Sequence, residues 1–307
     1  MNEFASMANV DGVISSTADA HVPVMDRGFL YGDSIYEVFR TYGGVPFFYD
    51  EHWARFENSA RLIHLRLGLA KEQMTQEIRQ TILMTNAAER GQDVYVRYTM
   101  TRGGGSVDLF PSPALATRYV IIVKEPHDWS ADFYSQGVRL AIPEVRRNSI
   151  SALDPNIKGG NYLNNILGII QARALGADDC VMLNDAGMVT ESSNSNVFFV
   201  IDDKIVTPAP TAGNLRGLTR TAVHEACRER GVATEERDIV VDELSRATEC
   251  FITSATREVM PAITLRLPSG TQLEFPEGGG PQTRRVTECY NEYLQAYVRD
   301  HADLSIF

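Results

Sequence analysis

Strand-forming and helix-forming stretches follow one another in this 307-residue chain without the regular alternation that builds a parallel sheet. Residues 35–42 are rich in β-branched and aromatic side chains, Gly43-Gly44 marks a turn, and residues 45–49 repeat the composition, so the spacing predicts a hairpin. A helix capped by Asp50 and running through Trp53, Arg55, Phe56, Ala60 and Leu62 is expected next, then a second over residues 71–89 and strands over 93–101 and 119–123. Periodicity lapses at Glu125-Pro126-His127-Asp128. The expected division is a smaller N-terminal α+β domain over residues 1–125, a linker over 126–137 and a larger C-terminal domain over 138–307.

Beyond the linker, residues 138–142 read as a strand. Leu163, Ile166, Leu167, Ile170 and Ala174 then recur at helical spacing over residues 162–175, which Gly176 ends. Residues 180–183, the Asn184-Asp185-Ala186-Gly187 turn, and residues 197–201 and 205–206 read as successive antiparallel hairpins. Gly217 opens a helix that stops at Gly231, a strand covers 249–253, and a closing helix covers 283–298. The sum is an α+β chain with mixed or antiparallel sheets.

The net charge of −11, from 29 basic and 40 acidic residues, disfavours nucleic acid and anionic membranes as partners, but an acidic chain can still hold an anion in a local pocket. Cys180, Cys227, Cys250 and Cys289 form no C-x-x-C pair and have no histidine at zinc-ligand spacing, so neither disulfides nor a metal site is expected. The N-terminus lacks a basic flank followed by an apolar run, and no apolar stretch is long enough to span a bilayer, so a reducing, cytoplasmic setting is expected. No G-x-S-x-G elbow, Walker loop or H-E-x-x-H motif is present. His52, His64 and His224 fall on predicted helices without a paired nucleophile and read as structural.

Four segments carry chemistry. Lys158, in Asn156-Ile157-Lys158-Gly159-Gly160-Asn161-Tyr162, precedes the most apolar helix, where a desolvated amine becomes a nucleophile toward an aldehyde or ketone; the alternative is a surface lysine at a helix start. Glu191 is followed by five small polar residues, Ser192 to Asn196, and could hold a heteroaromatic ring nitrogen protonated; the alternative is a solvated serine-rich loop. Gly217-Leu218-Thr219-Arg220 offers helix N-terminal amides and a hydroxyl to an anion, although many helices open this way without a ligand. Thr253-Ser254-Ala255-Thr256 offers a second hydroxyl cluster and Arg55 a fork of donors, each equally at home as turn or surface residues.

Together, and in this order, six segments resemble the class IV aminotransferases, the fold-type IV pyridoxal-phosphate enzymes. They are Tyr31-Gly32-Asp33-Ser34-Ile35-Tyr36-Glu37-Val38, Glu51-His52-Trp53-Ala54-Arg55-Phe56 with Ser59-Ala60, Lys158-Gly159-Gly160-Asn161-Tyr162-Leu163-Asn164-Asn165, Thr190-Glu191 through Asn196-Val197-Phe198, Gly217-Leu218-Thr219-Arg220, and Thr253-Ser254-Ala255-Thr256-Arg257-Glu258. The resemblance covers about residues 26–297 and implies two α+β domains, mixed and antiparallel sheets with flanking helices, and pyridoxal 5'-phosphate in the cleft between them. It implies that Lys158 bonds the cofactor as a Schiff base and moves the substrate proton, and that Glu191 partners the pyridine nitrogen. It also implies that Arg55, Leu218, Thr219 and Thr256 seat the phosphate, with Tyr162, Ser195, Asn196 and Ser254 completing the cofactor contacts. A homodimer or higher homo-oligomer whose partner loops close the pocket belongs to the same expectation.

For substrate, Tyr95-Val96-Arg97 resembles the carboxylate-contacting strand of branched-chain aminotransferases, with Tyr31, Tyr36, Arg40 and Ala255 as further pocket residues. Tyr36-Glu37-Val38 and Thr101-Arg102-Gly103 look more like the D-amino-acid enzymes, yet the Arg-x-His trap of typical members is replaced by Gly104-Gly105-Ser106-Val107-Asp108-Leu109. The resemblance therefore implies transfer from a hydrophobic, branched-chain-type amino acid to a 2-oxo acid. A D-amino-acid or (R)-selective primary-amine transaminase is the alternative, and an aminodeoxychorismate lyase a further one. A metabolite-binding protein without catalysis would have no use for Lys158 and Glu191 together.

Overall fold

The computed structural model describes residues 3–127 and 129–306. The chain divides into two compact units, the first comprising Met1–His127, Ile157–Asn161 and Tyr297–Phe307, the second Asp128–Asn156 and Tyr162–Ala296. Lys158 thus belongs to the first unit, whereas the expected division placed it with residues 138–307.

The first unit holds, in chain order, β1 (Met7–Val10), β2 (Val13–Ser16), α1 (Arg27–Tyr31), β3 (Ser34–Tyr42), β4 (Val45–Pro46), α2 (Tyr49–Leu62), α3 (Lys71–Leu83), α4 (Ala87–Arg90), β5 (Tyr95–Thr101) and β6 (Arg118–Lys124). Its strands form one antiparallel sheet, order β2-β1-β6-β5-β3-β4. Strand alternation puts Ile35, Phe39, Val96, Tyr98, Met100, Ile121 and Val123 on one face, where they pack against Trp53, Phe56 and Ala60 of α2 and Met74, Ile78 and Ile82 of α3.

The predicted hairpin is shorter on its second side, because the chain turns into α2 at Tyr49. Phe48, at φ 57°, takes the cap position expected of Asp50, and Asp50 and Glu51 instead place negative charge in the first turn. The long helix expected over 71–89 is broken into α3 and α4, with Met84 and Thr85 closing α3 and Asn86 opening α4. His64 lies past the end of α2, at φ 53°, and not on a helix. The closing segment returns to this unit because Tyr297 packs edge-on against Phe47 and Phe48 and Ile306 N–H donates to Gly44 O at 3.1 Å.

The second unit holds α5 (Ala131–Ser135), β7 (Val138–Ala141), α6 (Leu163–Ala174), β8 (Asp179–Leu183), β9 (Val189–Ser192), β10 (Asn196–Ile201), β11 (Lys204–Pro208), α7 (Leu218–Glu229), β12 (Thr234–Arg237), β13 (Ala247–Ser254), β14 (Glu258–Arg266), β15 (Gln272–Glu274) and α8 (Pro281–Asp300). Its sheet runs β12-β11-β10-β13-β14-β7-β8-β9, with β15 on β14. Pairs β11–β12, β14–β7 and β7–β8 are parallel and the rest antiparallel, the mixed sheet that the pattern implied. The core gathers Leu140, Val181, Val197, Phe199, Ile252, Met260 and Leu265. All four cysteines are buried free thiols.

The solvated serine-rich loop, the alternative reading of the Glu191 segment, is not what forms. Glu191 is a strand residue of β9, buried, and not part of a loop. Along α6, Leu163 is 67% exposed, Ile166 47%, Leu167 44% and Ile170 57%, while Asn165, Gly168 and Ala172 face inward.

Candidate active site

The lysine segment is pinned through its main chain. Tyr36 N–H donates to Lys158 O at 3.0 Å and Gly160 N–H to Ser34 O at 2.9 Å, so residues 158–160 line the start of β3 as a short antiparallel addition. From the other side Lys158 N–H donates to Ser59 Oγ at 3.1 Å, and Ser59 Oγ–H donates to Arg55 O at 2.9 Å. A Cβ at position 160 would lie 2.2 Å from Ser34 Oγ, so any other residue there would turn that hydroxyl aside.

The amine of Lys158 lies 4.6 Å from the centroid of the Tyr36 ring and 3.5 Å from its hydroxyl. The Arg97 guanidinium stacks on the same ring at 3.6 Å. Register explains this: Val38 faces Arg97 and Arg40 faces Tyr95, so Tyr36, Arg40, Tyr95 and Arg97 share the sheet face opposite the helices. Burial raises the Tyr95 pKa, and the neighbouring Arg97 opposes the rise. Four predicted substrate residues therefore share the face that meets Lys158, although Arg40 stacks on Tyr42 at 4.6 Å.

Two predicted residues have other engagements. Arg102 donates from Nε to Asp33 at 2.7 Å, from Nη1 to His64 O at 2.9 Å and from Nη2 to Ile63 O at 2.8 Å. Tyr31 closes α1 under the Arg27 guanidinium, 4.9 Å from its ring centroid. Arg27 also reaches Asp33 at 3.0 Å and the carbonyls of Asp108 and Leu109, holding the end of segment 104–109.

On the core face, Arg55 donates to Glu37 from Nε and from Nη2, both at 2.7 Å, and His52 Nδ1 lies 2.7 Å from Glu37 Oε2. Burial would raise the Glu37 pKa, but the Arg55 charge and these hydrogen bonds overturn that and bring it to about 2. Burial lowers the His52 pKa despite Glu37, so His52 is neutral at pH 7 and donates its Nδ1 hydrogen.

In the second unit, Glu191 Oε1 accepts from Arg147 Nε at 2.8 Å and Oε2 from Leu215 N–H at 2.9 Å. Asn164 Oδ1 accepts from Asn148 N–H at 3.0 Å, its Nδ2 donates to Arg146 O at 2.7 Å, and Asn165 Nδ2 donates to Ser193 O at 2.8 Å. The motif after the lysine thus steadies both the Arg147 segment and the Ser193 turn. Asn196 Nδ2 donates to Leu215 O at 2.9 Å, tying the strand after Glu191 to the approach to α7. Tyr162 occupies the position before the first residue of α6.

Helix α7 begins at Leu218 and Thr219 behind Gly217, which offers no capping side chain, so the helix's first amides carry no side-chain cap. A Cβ at Gly217 would stand 2.0 Å from Asn196 Oδ1. Ser254 ends β13, and Ala255 and Thr256 follow it in a turn closed by Arg257 N–H donating to Ser254 O at 3.2 Å. Arg257 itself is buried, bonding Ser195 Oγ at 2.7 Å and Asp179 at 3.1 Å, with Asn194 Oδ1 as a further partner. Sequence reasoning missed Glu37, Arg147 and Arg257 as supports. Only Glu37 and Arg257 stood inside quoted motifs.

These side chains are the chemical types that pyridoxal phosphate calls for: an amine for its aldehyde, a buried carboxylate for its ring nitrogen, and uncapped helix amides with a hydroxyl for its phosphate. Among the described residues no cluster of three metal-binding side chains occurs, and no helix is long and apolar enough to cross a membrane.

The family model of amino-transferase class IV matches residues 34–264. A Methanocaldococcus jannaschii protein named as a branched-chain-amino-acid aminotransferase is 33% identical over 257 residues, covering 83% of this chain and 86% of its own. A D-alanine aminotransferase of Bacillus licheniformis is 29% identical over 291 residues, covering 92% and 96%. A branched-chain amino acid aminotransferase from T.th., solved with pyridoxamine 5'-phosphate, superposes with a TM-score of 0.81 at 26% identity over 94% of each chain. With its α+β fold, its lysine segment and three quarters of its length inside the family model, the chain belongs to the class IV aminotransferases, and is a pyridoxal-phosphate-dependent enzyme.

Proposed function

We propose that this enzyme moves an amino group from a hydrophobic, branched-chain-type amino acid to a 2-oxo acid. The disposition of its arginines carries the substrate reading. Arg97 shares a sheet face with Tyr36 and Tyr95 beside Lys158, whereas Arg102, in the segment that looks more like the D-amino-acid enzymes, spends all three nitrogens on Asp33, Ile63 and His64. The relatives named for branched-chain amino acids point the same way.

When bound, pyridoxal phosphate supplies an electron sink for the charge left at the substrate Cα. Lys158 Nζ would hold the cofactor through its aldehyde carbon and would carry the proton at the substrate Cα. Glu191, its carboxylate fixed by Arg147 and Leu215 N–H, accepts the hydrogen of the ring nitrogen. Arg55, the Leu218 and Thr219 amides, and Thr256 hold the phosphate, with Tyr162, Ser195, Asn196 and Ser254 completing the cradle. Tyr95 and Arg97 orient the substrate carboxylate, with Tyr31, Tyr36, Arg40 and Ala255 lining the pocket.

The working form is a homodimer. Helix α6 exposes Leu163, Ile166, Leu167 and Ile170 along one side while turning Asn165 inward, the reverse of a surface helix, and a second copy supplies the cover. A cytoplasmic setting accords with four cysteines held as free thiols.

Mixing the holoenzyme with L-leucine and, separately, with D-alanine tests the substrate reading. L-leucine is expected to convert the cofactor's visible band to that of its amino form, and D-alanine to leave it. Conversion by D-alanine alone would replace this reading with the D-amino-acid one. Lys158→Ala is expected to lower turnover by at least about 10²–10⁴-fold, the range of general acid–base catalysis.

A further inference from the structure

We propose that Glu37 is a positioning residue for the cofactor's phosphate, acting through the guanidinium of Arg55, an inference that rests on the phosphate role proposed for Arg55. Glu37 alternates along β3 with Ile35 and Phe39, so it points into the apolar core beneath α2 and is fully buried. A carboxylate there is costly to desolvate, and exchanging the whole ion pair for apolar residues of similar volume would cost the fold little. The charge therefore needs a purpose beyond holding the fold.

Its purpose is read from geometry. Glu37 grips Arg55 side-on, Oε1 to Nε and Oε2 to Nη2, both at 2.7 Å, and His52 Nδ1–H fixes Oε2 from the same helix. A side-on grip removes the rotational freedom of a long side chain and presents the end-on edge, formed by Nη1 and Nη2, in one direction. His52, Arg55 and Ser59 follow at three- and four-residue spacing and share one stripe of α2. Adjacent residues of β3 thereby hold two cations: Tyr36 takes the main chain of Lys158, and Glu37 takes the head of Arg55. The distance between the amine's anchor and the phosphate-facing guanidinium is set by one strand and one helix.

The test compares pyridoxal phosphate with pyridoxal, which lacks the phosphate, by spectroscopic titration of the full chain freed of cofactor. Wild type is expected to prefer the phosphorylated form strongly, and Arg55→Met to lose most of that preference. Glu37→Gln is expected to lower the preference at least tenfold while leaving pyridoxal affinity within about twofold. General damage to the fold would weaken both ligands alike. If Glu37→Gln does not fold, Glu37→Asp keeps the charge but is one methylene too short to meet both nitrogens, and the preference should fall there too. Wild-type preference that vanishes in Arg55→Met yet persists in the Glu37 variants would overturn the inference alone. Preference that survives Arg55→Met would overturn the role of Arg55 from which it starts.

Discussion

Arg147, half-buried, and Glu191, buried, lie 44 residues apart in sequence and form an ion pair in which Nε meets Oε1 at 2.8 Å, while Leu215 N–H donates to the other carboxylate oxygen at 2.9 Å. With one donor on each oxygen, the carboxylate cannot rotate without breaking a charge-assisted bond. The group proposed to face the ring nitrogen is thus aimed before any ligand arrives.

Removing one partner of such a pair strands the other. Arg147→Met is expected to destabilise the protein by about 3–5 kcal/mol, whereas the double change Arg147→Met with Glu191→Met should cost much less. Urea unfolding of the three proteins checks this, and equal losses in the single and double variants would contradict it.

The two arginines near the substrate face should separate by the kind of defect they cause. Arg97→Gln is expected to raise KM for the 2-oxo acid by about tenfold or more, the loss of a hydrogen bond to a charged group, with little change in Tm. Arg102→Gln should do the converse, lowering Tm because it empties its contacts with Asp33, Ile63 and His64. Steady-state kinetics beside thermal melts of both variants decide the assignment.

Acid should weaken the fold in two stages. Burial and the charge of Arg220 bring His224 down from 6.5 to about 4, and burial lowers His52 as well, so each adds stability above pH 6.5 that is lost as pH falls through its folded value. Glu37, lowered from 4.5 to about 2, contributes above pH 4.5 and loses that contribution between 4.5 and 2. Melting temperatures should therefore be level near neutrality, decline below about pH 6.5, and decline further below 4.5. His224→Leu should flatten part of the first stage, and a profile level down to pH 4.5 would count against it.

The exposed side of α6 predicts assembly. Ile166→Glu or Ile170→Glu should convert the protein to monomers in analytical ultracentrifugation, since a buried interface does not accept an unpaired carboxylate. An unchanged sedimentation coefficient would place the subunit contact elsewhere.

Local physics explains what the sequence made legible. Strands β3, β5 and β6 and helices α6 and α7 follow from periodicity and from glycine or turn residues at their ends, which are properties of neighbouring residues. The lysine, the acidic residue and the glycine before α7 were found because each lies in a motif. Arg147 was not, since its partner is 44 positions away and nothing about an isolated arginine marks it. The stripe on α6 shows a related limit: helical spacing shows that a face is apolar, not what covers it. A serine-rich loop stayed open as the alternative for Glu191 because five small polar neighbours mask a strand that pairs with β8. Which unit owns Lys158 depended on pairing with β3, more than a hundred residues earlier.

Because Lys158 is bonded through its carbonyl to β3 and through its amide to Ser59, its Cα behaves as a fixed hinge pin. Only the four side-chain torsions then swing the amine, along an arc whose centre does not drift. Engineering that reshapes the surrounding loops for new substrates can therefore leave the reach of the amine untouched, provided Gly160 keeps its place against Ser34.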